Sequence, residues 1–94
     1  MEFEWDPAKS RSNRKKHGVD FETAARVFND TNFLLIEGRI GEDGQQRWHA
    51  LGMSGDIPLL VVVHVYKETE NGEEIIRIIS ARKASARESR RYFR

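Results

Sequence analysis

Arginine, histidine and tyrosine are the side chains of this sequence that its strand spacing could gather to hold an anion and move protons; cysteine is absent. That absence removes a thiol nucleophile, a disulfide framework and any Cys-ligated zinc or iron–sulfur site. No Asp/Glu group stands at metal-ligand spacing, so neither metal nor cofactor is expected. Two turns decide which reactive residues meet. Gly55-Asp56 suits a two-residue type II′ hairpin and Asn71-Gly72 a type I′ hairpin. With two central residues in each, opposed residues share a face of the sheet. This register sets Arg47 opposite His64, His49 opposite Val62 and Leu51 opposite Leu60; it then sets Tyr66 opposite Arg77 and His64 opposite Ile79. Arg47, His64 and Arg77 are thereby expected on three neighbouring strands, forming an anion site. Val61, Val63, Val65, Ile76, Ile78 and Trp48 take the other face, toward the helices. Unpaired charges on a buried face would cost several kcal/mol each, so the basic face is expected to be open. The competing arrangement pairs the arginines with acids such as Glu37 or Glu68 and leaves the histidines as filler. A one-residue slip in either hairpin would scatter the set to opposite faces.

Arginines with histidine or tyrosine, lacking thiol and metal ligands, fit phosphodiester chemistry on RNA, which carries its own nucleophile in the 2′-OH. The protein then supplies a group to take the 2′ proton, cations for the pentavalent phosphorane and an acid for the 5′-oxygen. Each positioned donor is worth roughly 3 to 4 kcal/mol, and general acid–base groups about 10² to 10⁴ in rate. DNA, without the 2′-OH, is expected to be inert.

The elements that must position these groups follow from length, charge and periodicity. Ninety-four residues with 38% apolar content suit one domain over 1–94. A chain of this size buries roughly 60 to 65% of its unfolded surface, leaving no room for an enclosed cofactor cavity. The longest apolar run, Pro58 to Val63, is too short to span a bilayer, and a cytoplasmic location without membrane contact is expected. The net charge of +1 hides segregation. Residues 9–17 carry five bases and no acid, and residues 82–94 six bases and one acid. Two basic blocks favour a polyanion partner. Asp6-Pro7 predicts a helix from Ala8 to Lys16 that stops at Gly18. Asp20 caps a second, whose Phe21, Ala24, Ala25 and Phe28 make one apolar stripe. Strands are predicted at Phe33–Gly38, Gln46–Ser54, Leu59–Lys67 and Glu74–Ala81. Ser85 and Glu88 have capping-box spacing, which predicts a basic helix from Ala86 to Tyr92. The expected class is α+β: an antiparallel meander with two N-terminal helices on one face and a short C-terminal helix.

Phe3-Glu-Trp-Asp-Pro-Ala-Lys9, Asn13, Lys16-His-Gly18, Phe21-Glu22, Phe28-Asn-Asp30, Gly52-Met-Ser54, Leu60-Val-Val-Val-His64 and Arg77-Ile-Ile-Ser-Ala-Arg82, followed by Glu88 and Tyr92, resemble the BrnT toxins over nearly the whole chain. The resemblance implies a RelE-like fold and a bacterial type II toxin that arrests translation as a ribonuclease. It also implies a BrnA-like antitoxin whose ribbon-helix-helix part binds operator DNA, the chain reaching that DNA only through the antitoxin, in a 2:2 complex. The substrate is RNA, free or ribosome-bound. Late tyrosines occur in RelE-like enzymes, so the catalytic set is expected to be Arg47, His64, Arg77 and Tyr92. Lys16, His17, Tyr66, Arg82, Lys83 and Arg87 are expected to hold RNA, with Arg82, Lys83 and Arg87 also suited to docking the antitoxin. Trp5 and Trp48 are assigned to the core. The alternative function is a non-catalytic RNA-binding or regulatory module.

Overall fold

In the computed structural model, which describes residues 2–94, a short strand β1 (Glu2–Glu4) leads into helix α1 (Pro7–His17). The Asp6 carboxylate accepts the Ala8 N–H at 2.9 Å, and Pro7 gives up only an amide that lacks an intrahelical partner. The helix ends at Gly18, whose φ of +75° is a left-handed conformation that a Cβ disfavours. Asp20 caps the next helix, α2 (Phe21–Ala25), by accepting the Thr23 N–H at 2.8 Å, and α2 tightens into a 3-10 turn over Arg26–Asn29. Of the predicted apolar stripe, Phe21 and Ala24 are fully buried and Ala25 and Phe28 are half-buried against the same core, while Val27, outside the stripe, is fully buried because the chain tightens to 3-10 geometry there.

Strands β2 (Leu34–Ile40), β3 (Gln46–Ser54), β4 (Ile57–Glu68) and β5 (Glu74–Lys83) precede helix α3 (Ala86–Tyr92). The sheet order is β1-β5-β4-β3-β2. β2 to β5 form the expected antiparallel meander, but β1 joins β5 in parallel, pairing Phe3 with Ile76 and Glu4 with Arg77. The sheet is therefore mixed. A strand separated from its neighbour by most of the chain has no tight turn to impose antiparallel pairing, and alternation in Phe3 to Trp5 carries no direction.

The hairpin registers differ from expectation by one residue. Gly55-Asp56 is the two-residue turn predicted, with positive φ only at Gly55, but an irregularity between Gly52 and Ser54 shifts the rest of β3. Trp48 thus pairs with His64, His49 with Val63 and Leu51 with Val61. The second loop has three central residues, Glu70, Asn71 and Gly72: Thr69 N–H donates to Glu73 O at 2.8 Å, and Gly72, at φ +80°, closes a turn onto Thr69 O at 2.9 Å. This is the three-residue hairpin with a left-handed glycine rather than the type I′ turn. Tyr66 accordingly pairs with Ile76, Val65 with Arg77 and His64 with Ile78, until a bulge between Val63 and His64 restores the predicted offset at Val62↔Ala81.

Because side chains alternate with period two, each slip exchanges the faces. Trp48, Ala50, Leu60, Val62, His64, Tyr66, Ile76, Ile78 and Ala81 face the core formed with Val19, Phe21, Ala24 and Val27. Val61, Val63 and Val65, expected there, lie on the outer face with Arg47, His49 and Arg77. α3 covers part of that face through a second cluster of Leu51, Leu59 and Val61 with Leu34, Ile36, Met53 and Tyr92. Asn13, buried in α1, donates to Val19 O at 2.7 Å and Ala81 O at 2.8 Å and accepts the Ala81 N–H at 3.2 Å. It thereby satisfies both backbone groups of Ala81 on the β5 edge, beyond the reach of β1. No helix among the described residues is long and apolar enough to cross a membrane.

Candidate functional site

On the outer face, Arg47 and His49 sit two residues apart on β3 and lean over the backbone of β2 and its following loop. A Cβ on Gly38 would lie 3.0 Å from His49 Nε2, and one on Gly41 2.8 Å from Arg47 Cζ. These glycines leave the space that the two side chains use. Arg47 Nη1 is 3.1 Å from Asp43 Oδ1. Arg77 lies across the face; continuing the register one step past Trp48↔His64 sets Arg47 opposite Val65, which pairs with Arg77. Their backbones are thus two strand spacings, about 9.5 Å, apart. Glu4 of β1 accepts from Lys67 Nζ at 2.8 Å and from Arg77 Nη1 at 3.2 Å, one carboxylate between two cations.

α3 builds the other wall. Ser85 Oγ accepts the Glu88 N–H at 3.2 Å while Glu88 Oε1 accepts the Ser85 N–H at 2.7 Å, completing the predicted capping box. Arg82 binds both Glu88 oxygens, at 2.8 and 3.0 Å, and these bonds hold the Glu88 carboxyl down to about 2. At the far end, the Tyr92 hydroxyl donates to Asp30, which also accepts the Met53 N–H at 2.8 Å and the Asn32 N–H at 2.9 Å. The Asp30 carboxylate pushes the Tyr92 phenol up to about 12. Tyr92 is therefore a protonated clamp on α3.

Between α3 and strands β2 and β3 lies a groove of about 490 Å³ lined by Ile36, His49, Arg87, Glu88, Arg90, Arg91 and Arg94. Among the described residues, those four arginines have no carboxylate within 4.0 Å. Unpaired guanidiniums converging on one groove form an anion site suited to phosphate, and His49 adds an imidazole able to exchange a proton.

The sequence-predicted residues are distributed unevenly around this groove. Arg47 and Arg77 share its face, Arg87 lines it and Arg82 fixes its helix. His64 lies on the opposite face, with no exposed surface, its ring edge-on to Phe28 at 4.9 Å and Tyr66 at 5.0 Å. Its Nδ1 donates to Val62 O at 3.1 Å, Nε2 has no partner, and burial pushes its pKa below the usual histidine value. The expected trio of Arg47, His64 and Arg77 is thus not assembled; the register slip at Gly52 turns the imidazole into the core. Tyr66 also faces the helix side, 6.2 Å from Trp48, and is not beside Arg77. Its other neighbours, Glu68 and Glu74, line a shallow recess with it. Lys83 is exposed at the end of β5. Lys16 and His17 line a separate crevice of about 210 Å³ with Lys9, Ile79 and Ser80, against α1.

Arg90, Arg91 and Arg94 were absent from the predicted set, and His49, expected on the basic face with Arg47, was not among its catalytic or RNA-holding residues. A signal for the arginines was present: the capping box fixes the phase of α3, and residues 87, 90, 91 and 94 are spaced i, i+3, i+4 and i+7 along one side. For His49 the signal was its two-residue spacing from Arg47, which holds in either register.

The chain is similar to known proteins in sequence and in fold. A family model described as the ribonuclease toxin BrnT of type II toxin–antitoxin systems matches residues 5–88. Among solved structures, the chain is similar to the 1.1 Å crystal structure of the ribonuclease toxin BrnT of Brucella abortus, with 26% identity and a TM-score of 0.60, covering 90% of this chain and 97% of that one. None of the curated proteins compared matches.

Proposed function

The chain belongs to the BrnT family, the ribonuclease toxins of type II toxin–antitoxin systems, and on that premise we propose that the groove between α3 and β3 is where it cleaves RNA. The observation that carries this reading is that Arg87, Arg90, Arg91 and Arg94, without carboxylate partners among the described residues, line one groove together with His49. A scissile phosphate seated there meets guanidiniums placed for the negative charge that develops on the phosphorane. The 2′-oxygen attacks phosphorus, its proton leaves, the P–O5′ bond breaks and the 5′-oxygen gains a proton; His49 exchanges one of these two protons. Arg47, beside His49, and Arg77, across the face, extend the basic surface along the RNA backbone, while Tyr92 acts by holding α3. Lys16 and His17 bind a more distant stretch of the same RNA. His64 takes no part in the chemistry.

This reading makes the reaction metal-independent, since the groove offers cations, one imidazole and only the ion-paired carboxylate of Glu88. It also includes arrest of translation through mRNA cleavage in the cytoplasm, a RelE-like fold, and neutralisation by a BrnA-like antitoxin with an operator-binding ribbon-helix-helix part in a 2:2 complex. The test is digestion of mRNA by the purified chain in excess chelator. Fragments ending in 2′,3′-cyclic phosphate and 5′-hydroxyl are expected, with DNA uncut. Salt-dependent RNA binding without product would instead establish the non-catalytic binding module.

A further inference from the structure

The sheet has two outer edges of different character. β1 offers three residues, and beyond it Asn13 of α1 takes up both backbone groups of Ala81 on β5. β2 is seven residues long and, among the described residues, hydrogen-bonds to no strand on its outer side. Exposed edges are normally protected by charge, proline or bulges; β2 has Glu37, Arg39 and a register irregularity in its second half, between Glu37 and Ile40, but its regularly paired first half carries Leu35 at 46% exposure, and Ile40 at the end of the strand is 65% exposed. Beside this edge lies a cleft of about 410 Å³ lined by Leu34, Leu35, Ile36, Arg91, Tyr92 and Arg94. Through Ile36, Arg91 and Arg94 it is continuous with the arginine groove.

We propose that the antitoxin docks here by adding an extended, acidic segment as a sixth strand along β2. The choice of a polypeptide follows from the edge itself: a row of backbone N–H and C=O groups pairs with another backbone, and the apolar side chains beside it offer nothing to a phosphate. The acidity follows from charge, because the added strand meets Arg39 on β2 and Arg91 and Arg94 from α3, against Glu37 as the one acid of β2. A second copy of this chain would bring its own arginines to the same place. The docked segment silences the toxin directly, since carboxylates reaching Arg91 and Arg94 occupy the guanidiniums that hold the scissile phosphate. The proposal rests on the groove being the RNA site, and its test separates the two.

Amide hydrogen exchange is measured on the full chain alone and in complex with its co-expressed antitoxin. Exchange at residues 34–40 is expected to slow at least tenfold in the complex. Ile40→Asp, which sets a like charge against the acidic strand at a position lining neither the groove nor the cleft, is expected to weaken antitoxin binding at least tenfold while RNA cleavage by the free toxin stays unchanged. Leu35→Ser, which removes the apolar contact without adding a carboxylate beside Arg91 and Arg94, gives the same result if Ile40→Asp folds poorly. Protection confined to α1, or unchanged antitoxin affinity in both variants, overturns the proposal. So does protection of residues 34–40 that grows with concentration in the free chain, which assigns the edge to a second copy, or a parallel loss of RNA affinity, which assigns it to RNA. A chain that cleaves no RNA yet gains antitoxin-dependent protection at β2 refutes the nuclease reading and upholds this one.

Discussion

His49 and His64 are chemically alike, and their positions separate them. His49 lies in an open groove among guanidiniums, with Gly38 leaving room for its ring. Gly38→Ala places a methyl 3.0 Å from His49 Nε2 and 3.1 Å from Arg47 O, so the imidazole must move. The expected outcome is at least a tenfold loss in the cleavage rate together with a lowered melting temperature, because the Arg47 carbonyl must also give way, checked by single-turnover kinetics well below the transition and by thermal unfolding. His64, buried with an unpartnered Nε2, is easier to protonate in the unfolded chain than in the folded one, because burial lowers its folded-state pKa. The unfolded chain therefore binds more protons in that window, and stability is full above the unfolded value near 6.5 and is lost as pH falls toward the lowered folded value. The slope is at most about 1.4 kcal/mol per pH unit. Denaturant titrations between pH 7.5 and 5.5 should show this loss, and His64→Leu should flatten it. Glu88, held down to about 2, acts in a separate window: its contribution is present above about 4.5 and is lost only in stronger acid.

At the scale of elements, α3 shows how a short helix is kept in place. It has no fully buried residue, so its position depends on the capping box, the Arg82–Glu88 pair, the Tyr92–Asp30 hydrogen bond and the small cluster around Leu51. Tyr92→Phe removes only the hydroxyl and is expected to cost about 1.5 kcal/mol, the scale of a hydrogen bond to a charged acceptor. Faster amide exchange across Ala86–Tyr92 and slower RNA cleavage should accompany it. Most elements were legible in the sequence because their signals are local: Asp6-Pro7 and Gly18 bound α1, Asp20 starts α2, Gly55-Asp56 makes its turn, and Ser85 with Glu88 starts α3. The pairing of those elements was less legible. A third central residue at Glu70 to Gly72 and the irregularity after Gly52 each move the register by one without altering composition or alternation. That single step sent His64 to the core and left His49 with Arg47. The direction of β1 was likewise hidden, because three alternating residues look the same in parallel and antiparallel pairing.

For the whole molecule, near-neutral net charge conceals an uneven surface. Arg87, Arg90, Arg91 and Arg94 gather in the groove over the outer face of the sheet, while the bases of residues 9–17 lie along α1. RNA affinity should accordingly fall steeply with salt. Arg91→Ala should weaken binding and reduce the slope of log K against log salt by about 0.7, the value for one contact to a single strand; fluorescence anisotropy over a salt series measures this. A slope that Arg91→Ala leaves unaltered would place the RNA elsewhere, for instance along α1. The central claim is that the outer groove, rather than the buried histidine, carries the chemistry. Single-turnover cleavage of one RNA by the wild-type chain, His49→Ala and His64→Leu tests it most directly. The account predicts at least a hundredfold slower cleavage for His49→Ala, with RNA affinity within about threefold of wild type, the scale of a lost general acid–base group, and near wild-type cleavage by folded His64→Leu. Wild-type cleavage by His49→Ala together with an inactive, folded His64→Leu would contradict it.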